Sequence, residues 1–512
     1  MLSRPRSAIV SVNIWRSSDG LREKHKGMNV FGRPTRHAPL WRLALPSLAA
    51  ITVACLPVTA NAMSLNEAIA VALDSNPEIG QAIADREATE FELKQALGLY
   101  APTLDASASA GAERLDNPSR RASSLQDHTL LPTQITLQAN YNLLDGGYRQ
   151  AVTNQQASRV DSASFKVLER SEFIGLEVAR QYFQVLLQIS VLRLAQQNVD
   201  FHQQSLDKVA QAIKNGQLTE ADRQQAEERL AEARTKVTTA QDALASAQIS
   251  FNTLVGTSLK GAALPRAIPA GVLPPNLATA LGRAREHNPK LKIAQADVDA
   301  SAQVVQKSKS ALAPTLAVQG IAQAGHDIDG TEDYTTDLQA NLSLKWSLFD
   351  GGVKSAQVQA DSRREIETAL AQQSTMRDVD ESVRSSWQEI SSQGNLASQY
   401  RNQLSASNSL VSAYQDQFTI GQRSLLDVLD AQNTRFNVQV LYQTALFSQR
   451  FAQYKLLAAE GGMLSYLHIT PPKESEAYAR PMVGTPTADS YQPRRLEKIN
   501  LSDAVDLTKL VN

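Results

Sequence analysis

Cysteine is almost absent. A single one, Cys55, occurs in 512 residues, and it lies in a segment expected to be removed. The mature chain would then hold no disulfide and no reactive thiolate. Aromatic residues make up only 5%. The chain is instead rich in Ala, Gln, Ser and Leu, which suits long helices better than a large globular core. Neither sign of charge dominates: Lys+Arg number 51 and Asp+Glu 52. A nucleic-acid binder would carry a basic excess or stripe, so no nucleic-acid partner is expected. Past the N-terminal segment there is no run of about 18 apolar residues, so no helix is expected to span a bilayer. A chain that crosses a membrane without such a helix does so as a closed β-barrel. The seven histidines show no metal-ligand spacing. A phosphate loop, a nucleophile elbow and a zinc motif are also missing. These absences argue against an enzyme, and no cofactor is expected.

What is present begins with an address. Arg36 and Arg42 flank the start of an apolar run from Leu43 to Val58, and Ala60-Asn61-Ala62 follows as a small-x-small cleavage site. This is the layout of a secretory signal peptide, with Met63 as the first mature residue. The basic stretch before it is long for such a signal, which makes Met28 a second candidate start. Lipid attachment at Cys55 is the rival reading, although Thr52 stands where a leucine is usual. The expected segments are a signal peptide with an N-terminal extension (1–62), a first repeat (63–262), a second repeat (277–462) and a tail (463–512).

The duplication is explicit. Asn76-Pro77 recurs as Asn288-Pro289, and Ala101-Pro102-Thr103-Leu104 recurs as Ala313-Pro314-Thr315-Leu316, both at an offset of 212. Leu144-Asp145-Gly146-Gly147 recurs as Phe349-Asp350-Gly351-Gly352, and Gly216-Gln217 as Gly421-Gln422, both at 205. The offset changes once, so the first copy carries seven extra residues between Leu104 and Leu144. That interval includes Asn117-Pro118-Ser119, which reads as loop.

Each half has the same order of parts. A short helix ends at Asn-Pro, because the residue before proline avoids helical angles. A second helix follows and stops at Ala-Pro-Thr. Two strands come next, expected at 104–112 and 133–143 in the first half and at 316–324 and 337–348 in the second. Ile135, Leu137, Ala139, Tyr141 and Leu143 alternate with Gln134, Thr136, Gln138, Asn140 and Asn142. Leu338, Ala340, Leu342, Leu344, Trp346 and Leu348 do the same in the second half. Period two over ten residues gives strands with one apolar and one polar face. Such strands suit a membrane barrel, lipid outside and lumen inside; the alternative is a soluble two-sided sheet. Four strands are too few to close a barrel with a lumen, whereas three copies supply twelve.

After Asp-Gly-Gly, expected as a structural turn with Asp as N-cap, comes a long helical hairpin, at 148–255 and again at 353–460. Ile174, Val178, Val185, Leu192, Val199, Leu206, Val209 and Ile213 step by 4, 7, 7, 7, 7, 3 and 4, a coiled-coil seam. A helix from 148 to 214 is about 100 Å long. The return helix and the second short helix nearly match it when stacked end to end.

With these features the chain resembles the TolC family of outer-membrane efflux and secretion channels. The resemblance spans Ser64 to Gly462 and rests on the paired Asn-Pro, Ala-Pro-Thr-Leu and Asp-Gly-Gly signals and on the second hairpin tip, Gly421-Gln422-Arg423-Ser424-Leu425-Leu426-Asp427-Val428-Leu429-Asp430-Ala431-Gln432. It implies a mainly α fold with a membrane β-barrel. It also implies a homotrimeric tube with four strands and two long helical hairpins per protomer, set in outer-membrane lipid and extending into the periplasm. Partners implied are a periplasmic adaptor and an inner-membrane ABC transporter or proton-driven pump.

Asp427 and Asp430 share one helix face by their spacing. The resemblance implies that they form two stacked carboxylate rings at a pore constriction; a simple complement to the helix dipole explains them as well. It further implies a gate tether in which Arg423 reaches a neighbouring tip, with Asp222 as partner. Phe418 stands where the family can use a phenol, and Ala221 where it often has a hydroxyl. Gly216 and Gly421 are expected at the hairpin turns. The polar, proline-punctuated tail fits either a strap around the tube or a free end. The function expected first is the duct of a type I secretion system, with the duct of a drug or metal efflux pump as runner-up. A periplasmic adaptor or rod is a third class, disfavoured by two hairpins plus amphipathic strands.

Overall fold

The computed structural model describes residues 63–488, apart from 260, 261, 267, 270, 329 and 331. The expected signal peptide, Met28, Cys55 and the tail past 488 lie outside the described residues. The first repeat runs α1 (Leu65–Ser75), α2 (Pro77–Gly98), β1 (Thr103–Ala110), α3 (Pro118–Ala122), β2 (Thr133–Leu144), α4 (Tyr148–Lys214) and α5 (Glu220–Val255). The second runs α6 (Leu277–His287), α7 (Pro289–Ser310), β3 (Thr315–His326), β4 (Tyr334–Lys345), α8 (Val353–Thr419) and α9 (Leu425–Ala459). Two short helices follow, α10 (Met463–Tyr466) and α11 (Ala479–Val483).

Asn-Pro acts as both stop and start. Asn76 ends α1 and caps α2 by accepting from the Glu78 amide, and Asn288 does the same between α6 and α7. Proline takes the first helical position, where a missing N–H costs nothing. The Asp-Gly-Gly turns correct one expectation. The N-cap residues of α4 and α8 are Gly147 and Gly352, not the aspartates. Asp145 still accepts from the amides of Gly147 (3.1 Å) and Arg149 (3.0 Å), and Asp350 from those of Gly352 and Lys354 (both 3.0 Å). The longer aspartate side chain caps the helix from two residues further back.

The four strands form one antiparallel sheet in the order β1-β2-β3-β4. The β2–β3 pairing, with Ile135 opposite Ala324, joins the two repeats. β1 and β4 are the edges. The ladder ends at Ala110 and at Lys345, short of the expected 112 and 348, while β3 extends to His326. Past Lys345 the chain turns to the helices, where the Trp346 indole donates to the Leu312 carbonyl at 3.1 Å. The extra loop of the first repeat is packed. Buried Arg120 of α3 donates to the carbonyls of Gly330 (3.0 Å) and Leu125 (2.8 Å).

α4 is the pillar of the helical part. Leu93 of α2 packs with Ala157 and Val160 nearest the sheet. Further along, α5 takes over: Phe251 meets Tyr182, Ala240 meets Ala195, and Ala226 meets Val209 near the tip. The two shorter helices therefore divide α4 between them. Where they meet lies the largest apolar core, around Ile69, Ile79, Tyr182, Phe251, Met463 and Leu464. Every residue of the expected coiled-coil seam is buried or half-buried.

Candidate functional site

Two features stand out, one at each end of the protomer. On the sheet, the usual relation of polarity to exposure is inverted. Along β2, Ile135, Leu137, Ala139 and Tyr141 are exposed, while Gln134, Thr136, Gln138 and Asn140 are half-covered. Leu338 and Leu342 on β4 are 85% and 66% exposed. The inter-strand register puts Leu137, Ala322 and Leu338 in one row on that face. The opposite face carries amide side chains that bond one another, as Gln323 does to Gln134 (3.4 Å). A soluble two-sided sheet would bury the apolar face, because leaving one such side chain in water forfeits about 1.5–3 kcal/mol. Exposed aromatics flank the band: Tyr334 at one end, Trp346 and Phe349 at the other. Lipid-facing strands carry such girdles. Among the described residues, no helix is long and apolar enough to cross a membrane.

The other end holds the hairpin tips. Both turns close alike. At the first, the Gly216 amide donates to Ile213 and Gln217 to Ala212; at the second, Gly421 donates to Phe418 and Gln422 to Gln417. This is a Schellman closure, which needs a left-handed residue after the C-cap. Gly216 and Gly421 supply it, with φ of 72° and 74°. Thr219 and Ser424 then stand as N-caps, with Asp222 and Asp427 three residues on. Asp222 accepts from the Thr219 amide (2.8 Å) and hydroxyl (2.7 Å), bonds that hold its carboxyl below the ordinary carboxylate range. Asp427 accepts from the Ser424 hydroxyl at 2.8 Å.

The remaining expected site residues separate. Asp430 is exposed and reaches across to α5, where Arg229 lies at 3.1 Å. Arg229 is itself held by Glu232 at 3.1 Å, with Glu228 at 3.5 Å. Within one protomer Arg423 does not meet Asp222. Its guanidinium lies over the Tyr414 ring at 4.2 Å, bonds Gln417 at 3.2 Å and stands 3.8 Å from Asp427. Phe418 is packed with Val209, Ile213, Leu218 and Leu425 in the patch joining the two tips. The two tips of a protomer therefore form one body, with Asp222 and Asp427 half-exposed in the first turns of α5 and α9.

Sequence reasoning missed Arg229, Tyr414 and a buried polar layer just above the tips. There Gln432 of α9 donates to Asn198 of α4 at 2.7 Å, and His202 lies one turn on, 3% exposed. Burial pushes the His202 imidazole down to about 4; Glu232 works against this, Lys236 and Arg229 with it. The layer had a signal. His202 occupies the seam position between Ala195 and Val209, seven residues from each. A polar residue at such a position fixes register at a cost in stability.

The profile described as "Outer membrane efflux protein" matches residues 68–257 and 280–462, one stretch in each repeat. The chain belongs to the outer membrane efflux protein family. That membership places it in the Gram-negative outer membrane, among channel proteins. Outer membrane protein TolC of Escherichia coli is 23% identical over 439 residues, covering 81% of this chain and 86% of its own. Outer membrane efflux protein BepC of Brucella suis is 25% identical over 359 residues, 68% of this chain and 76% of its own. Among solved structures, the outer membrane protein VceC of Vibrio cholerae superposes with a TM-score of 0.67 at 16% identity, covering 80% of this chain and 97% of that one. The fold is that of a TolC-like channel.

Proposed function

We propose that three copies of this chain pool their strands into a twelve-strand barrel and their hairpins into a helical cylinder, forming a passive exit duct. The observation that carries this is the exposed apolar face of the four-stranded sheet. Such a face needs lipid, and the free edges of β1 and β4 need partners. The duct performs no chemistry, so the driving energy comes from an inner-membrane partner reached through a periplasmic adaptor.

At the tips, threefold repetition of Asp427 and Asp430 gives two stacked carboxylate rings that narrow the pore and attract cations. Arg423, left without Asp222 in its own chain, reaches the Asp222 of a neighbouring copy and holds the tips closed. Arg423, Asp222 and Asp427 are half-exposed and Asp430 is exposed, so the closed state is held lightly.

The partner we assign is an ABC transporter, making the chain the duct of a type I secretion system. The resemblance to a family of efflux and secretion channels, read from the sequence, makes this the duct expected first. A proton-driven drug or metal pump is the second reading, supported by the likeness to a relative named an efflux protein. A deletion strain separates them. Loss of one secreted or surface protein is the outcome expected for secretion. Raised drug or metal sensitivity with an intact surface would replace it with efflux.

A further inference from the structure

Two aspartates are buried where the first repeat meets the second. Asp161 of α4 is 1% exposed and Asp299 of α7 is 0%. Both are answered by a segment that lies outside both repeats. Asp161 accepts from the amides of Ala479 (2.8 Å) and Arg480 (3.2 Å) and from Arg480 Nε (2.8 Å). Asp299 accepts from Arg480 Nη1 and from the amide of Ala488 (2.9 Å), and on its own helix from Gln295 (2.9 Å). Among the described residues, every hydrogen bond to Asp161 and two of the three to Asp299 therefore come from residues 479–488. Packing holds the same segment in place. Ala479 is fully buried among Leu93, Ala157 and Val160, and the Tyr478 hydroxyl donates to Glu90 of α2 at 2.7 Å.

We infer that residues 478–488 are a clasp that must close before α4 and α7 can pack, so that assembly of the tube waits on this segment. The physical reason is the arithmetic of charge. Two carboxylates on facing helices repel one another in a low-dielectric joint; the Arg480 guanidinium bridges them and cancels one charge, and the amides of Ala479, Arg480 and Ala488 solvate what is left. A buried charge left without its partner is far more damaging than an apolar pair in its place. α4 and α7 both precede Arg480 in the chain, so they emerge from the export machinery before their counter-charge does. Until Arg480 arrives, the joint between the repeats stays open. An incompletely exported chain then cannot build a closed helical wall.

The clasp is tested with full-length chains. Arg480→Met keeps the apolar stem and removes the charge. It is expected to lower the yield of protease-resistant, folded protein by about tenfold or more. Adding Asp161→Asn and Asp299→Asn to that variant removes the stranded charges and is expected to restore most of the yield. Two results overturn the inference. Arg480→Met could fold like the parent. Alternatively, the triple variant could fold no better than Arg480→Met, which would assign the loss to packing rather than charge.

Discussion

α4 and α8 are the same length, 67 residues each, and both follow Asp-Gly-Gly at the end of a strand. Their surroundings differ sharply. α4 has 26 buried residues in the protomer and α8 has 8. α4 is enclosed by α2, α5, α7 and α9, while α8 leans on α9, α7 and the short α6. Duplication has therefore produced one helix that is a core and another that is an edge. Leu370, Leu396 and Leu410 stay exposed along α8. An edge helix with leucines in water is what a protomer built to meet further copies should have.

The largest effects should come from α4 and its partners. Phe251, fully buried against Tyr182, should cost about 3–5 kcal/mol on truncation to alanine, read by urea or thermal unfolding in detergent. Leu396→Glu on α8 is the matched change. It should leave the protomer folded by circular dichroism while abolishing the trimer on a sizing column. If Leu396→Glu unfolded the chain as Phe251→Ala does, the core-and-edge distinction would collapse.

A second contrast is one of pH. Glu172 of α4 is buried at the joint with α10, and burial pushes its carboxyl up to about 7 against the hydrogen bond from the Leu464 amide. A raised carboxyl favours folding while protonated. Its contribution is full below about 4.5 and is lost as pH rises through about 7. Glu172→Gln should therefore stabilise the protein more at pH 8 than at pH 5. His202 runs the other way. Its contribution is full above about 6.5 and is lost as pH falls through about 4, so His202→Leu should raise resistance to acid. Unfolding curves at both pH values, overlapping between variant and parent, would sink either assignment.

The smallest effect belongs to the tips. Arg423→Ala removes an exposed contact worth at most about 1 kcal/mol. Closed channels should nevertheless become leakier, with higher single-channel conductance in planar bilayers. Unchanged conductance would count against the tether.

Much of this architecture could be read from sequence because its signals are local and periodic. Alternation at Ile135–Tyr141 fixes which side chains share a face, and the heptad steps from Ile174 to Ile213 fix the seam. The Asn-Pro and Gly-Gln pairs mark helix ends whose hydrogen bonds close within a few residues. Strand ends were less legible, because the chain leaves the ladder where Trp346 finds Leu312. The long-range pairs were not legible at all. Arg480 lies 319 residues from Asp161 and Arg229 lies 201 from Asp430, and no local pattern links them. The unequal burial of α4 and α8 was also hidden, since both helices carry the same kind of sequence and differ in their neighbours.

Above all, the apolar face of the sheet should lie in lipid. The chain's one cysteine falls in the segment expected to be removed, so single cysteines can be placed cleanly at Leu342 and at its neighbour Asn341. In outer-membrane preparations, Asn341→Cys should react with a water-soluble maleimide. Leu342→Cys should resist it, react with a lipid-soluble maleimide fluorophore instead, and be quenched from within the lipid phase. Equal labelling of both positions, or recovery of the protein as a soluble periplasmic monomer, would contradict the account.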